Sequence, residues 1–177
     1  MRVVSGKYKG RILLSPINQA RPTLDKVKQA IFTKLQFDIE NKNILDLFAG
    51  SGALGIEAIS RGAKKVVFVD KDYKSIEIIK KNLKLLNENV NVLKCDYKTA
   101  LEKFEEQFDI IFLDPPYESG YYDIALQIIK DKHLLSCDGI IVLEMGEKSK
   151  IKQDLFAEFD EKNYGSVTVK YLKNKGN

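Results

Sequence analysis

The sequence predicts an α/β domain, a mostly parallel sheet with helices on both faces, formed as a single unit over residues 1–177. Three observations predict it. From residue 43 onward, short apolar runs alternate with amphipathic helical stretches, and mostly apolar strands separated by helices mark a parallel sheet covered on both sides. A glycine-rich turn, Gly50-x-Gly52-x-x-Gly55, follows the first apolar run and opens a helix, as in nucleotide-binding βαβ units. A length of 177 residues and a hydrophobic fraction of 44% suit one domain with a substantial core.

The elements follow in order. Residues 1–40 are expected to form a basic N-terminal extension and helix, and residues 43–177 the α/β core. Residues 1–14 read as short extended segments broken at Gly6 and Gly10. Pro22 disfavours helical geometry at Arg21. Thr23 is expected to cap the next helix, with Asp25 in its first turn. Leu24, Val27, Ile31 and Leu35 recur at helical spacing, which buries one face. Strands are then expected over 44–48, 66–70, 90–94, 108–113 and 140–144. Helices between them span 54–61, 73–86, a stretch reaching about Glu106, and 121–132. A short helix is expected near 150–155. Strands over 157–160 and 167–172, around Asn163-Tyr164-Gly165, predict a closing hairpin. The result is a seven-stranded sheet with one antiparallel strand.

Composition narrows the chemistry. Cys95 and Cys137 form no Cys-x-x-Cys pair, and His133 is the one histidine. That is too few ligands for a zinc site, and no motif around His133 suggests a nucleophilic triad. Neither a membrane-length apolar run nor a secretory signal is visible, so the expected location is cytoplasmic. The net charge of +4 is unevenly spread. Residues 1–34 carry eight Lys or Arg against one acid, and residues 162–177 carry four Lys and no acid, which leaves a net of −7 for residues 35–161. Basic ends around an acidic middle suit phosphate-backbone binding, although charged termini also serve solubility.

The glycine turn points to a nucleotide-containing cofactor, because the backbone must turn sharply and approach a ligand with no Cβ in the way. Asp70 ends the second strand and is placed to accept from ribose hydroxyls. Both NAD and S-adenosylmethionine have such a ribose. Asp46, just before the turn, suits the cationic amino and sulfonium groups of S-adenosylmethionine and would be a poor neighbour for a pyrophosphate. Phe48, Ala49, Gly50 and Gly52 in the turn are counted with it as cofactor contacts. Asp96 after the third strand can accept from the adenine amine, with Tyr97 beside it, or can simply cap the following helix.

The most specific motif is Asp114-Pro115-Pro116-Tyr117 at the end of the fourth strand. An exocyclic base amine is a poor nucleophile, because its lone pair is delocalised into the ring. The Asp114 carboxylate and a carbonyl of the Pro115 peptide can accept its N–H groups and turn the lone pair toward a methyl carbon. Pro115 and Pro116 stiffen the loop, and Tyr117 offers a face on which an extruded base stacks. Sites in parallel sheets form beyond the carboxyl ends of strands, which brings cofactor and base together. The Watson–Crick edge of guanine presents two adjacent donors that a carboxylate complements. No metal is required, since positioning and local electrostatics can supply the catalysis.

With these residues in place, the chain resembles the RsmD family of 16S rRNA guanine-N2 methyltransferases. The resemblance rests on Gly6-Lys7-Tyr8-Lys9-Gly10-Arg11, on Arg21-Pro22-Thr23 with Asp25, on 46–62, on 114–117 and on the Tyr164-Gly165 hairpin. It implies a Rossmann-like class I S-adenosylmethionine-dependent methyltransferase that modifies the 2-amino group of a guanine in 16S rRNA, either in naked RNA or in a small-subunit assembly intermediate. A compact domain of this size can work as a monomer. The resemblance also implies that Gly50, Gly52, Asp70 and Asp96 contact the cofactor, that Asp114 and Tyr117 hold the base, and that Lys7, Lys9, Arg11, Arg21 and Thr23 face the RNA. Lys26 and Lys28 stand where the family commonly has arginines, and lysine lacks the planar fork of a bidentate phosphate contact. The rival readings are a methyltransferase acting on DNA adenine or protein glutamine, an NAD-dependent oxidoreductase, and a non-catalytic rRNA-binding module.

Overall fold

The computed structural model describes residues 1–15, 22–116, 120–146, 149, 151 and 154–176, with the backbone alone at 22–24. Twelve elements follow one another: α1 (Pro22–Lys34), β1 (Asn43–Leu47), α2 (Ala53–Ser60), β2 (Lys65–Asp70), α3 (Tyr73–Leu85), β3 (Asn91–Lys94), α4 (Tyr97–Lys103), β4 (Phe108–Leu113), α5 (Tyr121–Asp131), β5 (Leu135–Gly146), β6 (Phe156–Tyr164) and β7 (Val167–Asn174). The strands form one sheet in the order β3-β2-β1-β4-β5-β7-β6. β7 runs antiparallel to both of its neighbours, while the pairings from β3 to β5 are parallel. The expected sheet with one reversed strand is present.

Alternation along the strands divides the core into two layers. Ile44, Val66, Phe68, Ile110, Phe112 and Val142 point to the layer that α1, α2 and α3 cover. Leu45, Leu47, Val67, Val69, Ile111, Leu113 and Leu143 point to the layer under α4 and α5. Strands buried on both faces need continuous apolar runs, which is why β1, β2 and β4 were visible in the sequence.

Four expectations are revised. α1 begins at Pro22, so Thr23 lies in its first turn rather than at its cap; a proline is preorganised for the opening position of a helix. β5 begins at Leu135, five residues before Ile140, with a register irregularity that lets the polar segment Ser136–Gly139 intervene. β6 continues to Tyr164, so the turn falls at Gly165 and Ser166. As the edge strand it carries Glu158, Asp160, Glu161 and Lys162, a charged pattern that protects an edge and hides its length. The helix expected near 150–155 is not seen at Ile151, Asp154 or Leu155, its described residues.

The N-terminal extension is fastened to the core by its backbone. Arg2 and Ile12 form an antiparallel bridge. The N–H groups of Val4 and Ser5 donate to the Glu57 carboxylate at 2.7 and 2.9 Å. Lys7 N donates to the Ser60 carbonyl and Tyr8 N to Ser60 Oγ, at 2.7 and 2.9 Å. The chain passes so close here that a Cβ on Gly6 would sit 1.8 Å from the Ser60 carbonyl oxygen. Lys28, buried on α1, donates to the Arg2 carbonyl at 2.5 Å and pairs with Glu57 at 3.6 Å. Burial pulls its ammonium below the usual lysine range, partly offset by Glu57. Asn82 on α3 holds the end of the extension, accepting from Leu14 N and donating to the carbonyls of Leu14 and Ser51.

Candidate active site

The carboxyl ends of the parallel strands open into a cleft of about 560 Å³. Ten of the expected site residues line it: Asp46, Phe48, Ala49, Gly50, Asp70, Asp96, Tyr97, Asp114, Pro115 and Pro116. Gly52 lies behind the wall, where a Cβ would meet Ile79 and Phe68. Tyr117 and Arg21 fall outside the described residues, as does the Thr23 side chain. Lys7, Lys9 and Arg11 sit on the exposed turn of the extension, away from the cleft. Lys7 pairs with Glu88 at 3.3 Å. Lys9 and Arg11 have no ion pair among the described residues.

The glycine turn is shaped by contacts of three kinds. Gly50 has a φ of +55°, and a Cβ there would touch the Phe48 carbonyl oxygen at 4.0 Å without crowding, which leaves room for close approach of a ligand. Its N–H donates to Asp70 Oδ2 at 2.8 Å. Gly55 is required by packing, because a Cβ would lie 2.3 Å from the Phe68 ring. Its N–H donates to Asp46 Oδ2 at 2.8 Å. Thus Asp46 and Asp70, besides facing the cleft, brace the turn from β1 and β2. The second oxygen of Asp70 accepts from Asp72 N at 2.8 Å. Asp96 accepts from Lys98 N at 2.9 Å and caps α4, and the same residue lines the cleft.

One wall is aromatic. The ring of Phe48 lies 5.0 Å from that of Tyr97 and is stacked on Tyr121 at 5.8 Å. The Tyr97 hydroxyl is buried with no hydrogen-bond partner among the described residues. Tyr121, Cys95, Lys28 and Glu144 line the cleft without having been anticipated. A usable signal existed for Glu144, which ends the apolar run of the fifth strand. Acids stand at or near the carboxyl ends of all five consecutive parallel strands: Asp46, Asp70, Asp96, Asp114 and Glu144.

That concentration sets the electrostatics. Burial, then the charge of Asp70, pushes the Asp46 carboxyl up to about 7, with the Gly55 N–H opposing. Burial, then Glu144 and Asp46, raises Asp114 well above the usual carboxylate range. Burial alone lifts Glu144 to about 7. Burial also raises the Cys95 thiol, which keeps it protonated rather than nucleophilic. A cleft whose carboxyls resist ionisation in the absence of a countercharge favours a cationic ligand and disfavours a pyrophosphate. His133 follows α5 at the opposite end of the strands. No cluster of potential metal ligands exists among the described residues, and no helix there is long and apolar enough to cross a membrane.

The chain matches the model of a protein family described as conserved hypothetical protein 95 over residues 1–173. It is 40% identical to YlbH of Bacillus subtilis, which bears a provisional rRNA methyltransferase name, over 99% of this chain and 100% of that one. It is 34% identical to ribosomal RNA small subunit methyltransferase D of Haemophilus influenzae, over 98% of this chain and 94% of that one. Among solved structures, yhhF of Escherichia coli, also provisionally named a methyltransferase, superposes with a TM-score of 0.88 at 29% identity, over 100% of this chain and 99% of that one.

Proposed function

Because the chain belongs to the family described as conserved hypothetical protein 95, the RsmD family, we propose that it transfers a methyl group from S-adenosylmethionine to the 2-amino group of a guanine in small-subunit (16S) rRNA. The observation that carries the reading is the meeting of Asp114-Pro115-Pro116 with the Gly50 turn in a single acidic cleft.

The donor set fits this cofactor. Asp70 would accept from the ribose hydroxyls, Asp96 and the Tyr97 hydroxyl would meet the adenine, and the Phe48 and Tyr97 rings would flank it. Asp46 would offset the cationic methionine half. When bound, S-adenosylmethionine supplies an activated methyl carbon. The chain's own residues do the rest. Asp114 and the Pro115 carbonyl hold the N–H groups of the acceptor amine, free its lone pair from the ring and align it for attack. The proton released by the methylated amine would leave through Asp114 or go directly to water. The apolar wall of Phe48 and Tyr121 limits water in the cleft.

Mass spectrometry of 16S rRNA nucleosides, from a strain lacking this gene and from its parent, tests the reading. The expected result is loss of one N2-methylguanosine, restored by the wild type and not by Asp114→Ala, which should reduce turnover by about 100-fold or more. An unchanged nucleoside profile would overturn the rRNA assignment. Labelled methyl incorporation into DNA or protein would then point to adenine or glutamine as the acceptor.

A further inference from the structure

The Glu144 side chain is ionisable, buried and unused by the fold. Its side chain is 6% exposed, and its Oε1 is buried with no hydrogen-bond partner among the described residues. Its backbone is fixed on both sides: the carbonyl accepts from the Tyr122 hydroxyl at 2.6 Å, and the residue pairs with Val169 of β7. Its side chain lines the cleft. The position relative to Asp114 follows from register. β4 and β5 are parallel neighbours with Leu113 opposite Leu143, so the next step places Asp114 beside Glu144, about one strand spacing (~4.8 Å) away. Phe112 and Val142 share one core layer, and Leu113 and Leu143 share the other. By alternation, Asp114 and Glu144 project from the same face.

A buried carboxyl without a partner costs stability. It persists where a ligand completes its hydrogen bonds. The neighbouring ammonium of Lys28 does not serve it, being engaged by Glu57 and the Arg2 carbonyl. What the cleft lacks, and what a guanine edge brings, is a second N–H donor next to the one that Asp114 takes.

We propose that Glu144 reads the acceptor base by accepting its N1–H, while Asp114 holds the adjacent 2-amino group. This rests on the preceding assignment of a guanine amine as acceptor. Guanine satisfies both carboxylates with adjacent donors. Adenine would turn the lone pair of its N1 toward one of them and be rejected. Two carboxylates on adjacent strands therefore divide the labour, one positioning the nucleophile and the other selecting the base.

The test uses the full-length enzyme and small-subunit rRNA in which the methylated guanine, once located, is replaced by 2-aminopurine. That base keeps the 2-amino group but has an acceptor at N1. Wild type should prefer guanine by at least about tenfold in kcat/KM. Glu144→Gln, whose amide can donate to N1, should shrink that preference by about tenfold or reverse it. Above neutral pH the same variant should melt at a higher temperature than wild type, since the buried Glu144 carboxyl, raised to about 7, there ionises without a partner. An unchanged preference in Glu144→Gln, equal use of both bases by wild type, or a lower melting temperature for the variant would each overturn the proposal. Failure of the underlying reading looks different, as wild type would then form no N2-methylguanosine in any small-subunit RNA.

Discussion

Asp46 shows how much a single side chain carries at this site. It braces the glycine turn through the Gly55 N–H and faces the cleft, yet burial moves its titration up to about 7. In the unfolded chain the group titrates near ~3.9. The folded state therefore retains a proton that the unfolded state has lost. This contribution to stability is complete below the unfolded value and declines as pH rises to about 7, at up to ~1.4 kcal/mol per pH unit. Asp46→Asn keeps an oxygen for Gly55 and abolishes the titration. Urea unfolding should show the variant gaining on wild type between the two values, and a difference that is flat with pH would contradict this origin. Single residues were also where the sequence was most and least informative. Asp46, Asp70 and Asp114 stood out because each adjoins an apolar run whose direction is fixed. Lys28 gave no such signal, because its burial depends on an extension and a helix meeting over Glu57. Glu144 ends such a run too, but its importance rests on register with Asp114, which an isolated run does not reveal.

At the scale of elements, the N-terminal extension changes most in meaning. Its charge suggested an arm turned toward RNA, but its backbone is part of the fold. Glu57, fully buried, accepts from Val4 N, Ser5 N and Arg61 Nε and pairs with Lys28. Glu57→Gln leaves the Lys28 charge uncompensated and should cost about 3–5 kcal/mol. Hydrogen exchange should show the amides of Val4 and Ser5 losing protection before those of β1 and β4. Equal loss across all three segments would mean that the extension and core unfold as one. The helices and inner strands were legible because their periodicities reflect burial on known faces. β5 and β6 were misjudged in length because a polar bulge and a charged edge break that periodicity while leaving the pairing intact.

Across the whole molecule, charge is segregated from chemistry. The acids gather in the cleft, whereas Lys9 and Arg11 stand exposed on the extension. An RNA substrate would then gain affinity from the extension while its reacting base meets the acids. Replacing Lys9 and Arg11 with alanine should weaken binding to 16S rRNA and reduce the slope of log affinity against log salt by about 1 for each residue. An unchanged slope, measured by filter binding over a salt series, would make the turn purely structural.

The reversed strand β7 also decides which edge the sheet turns outward. It lies between β5 and β6, antiparallel to both, so it covers the edge of β5 that faces away from β4. A variant truncated after Tyr164 would keep β1 to β5 but present that edge to any neighbour. Light scattering should show such a truncation aggregating at concentrations where the 177-residue chain stays dispersed, and equal dispersion of the two would contradict the expectation. The strand that completes the pairing of β5 thus doubles as a shield against sheet-to-sheet association, with the charged β6 left on the outside.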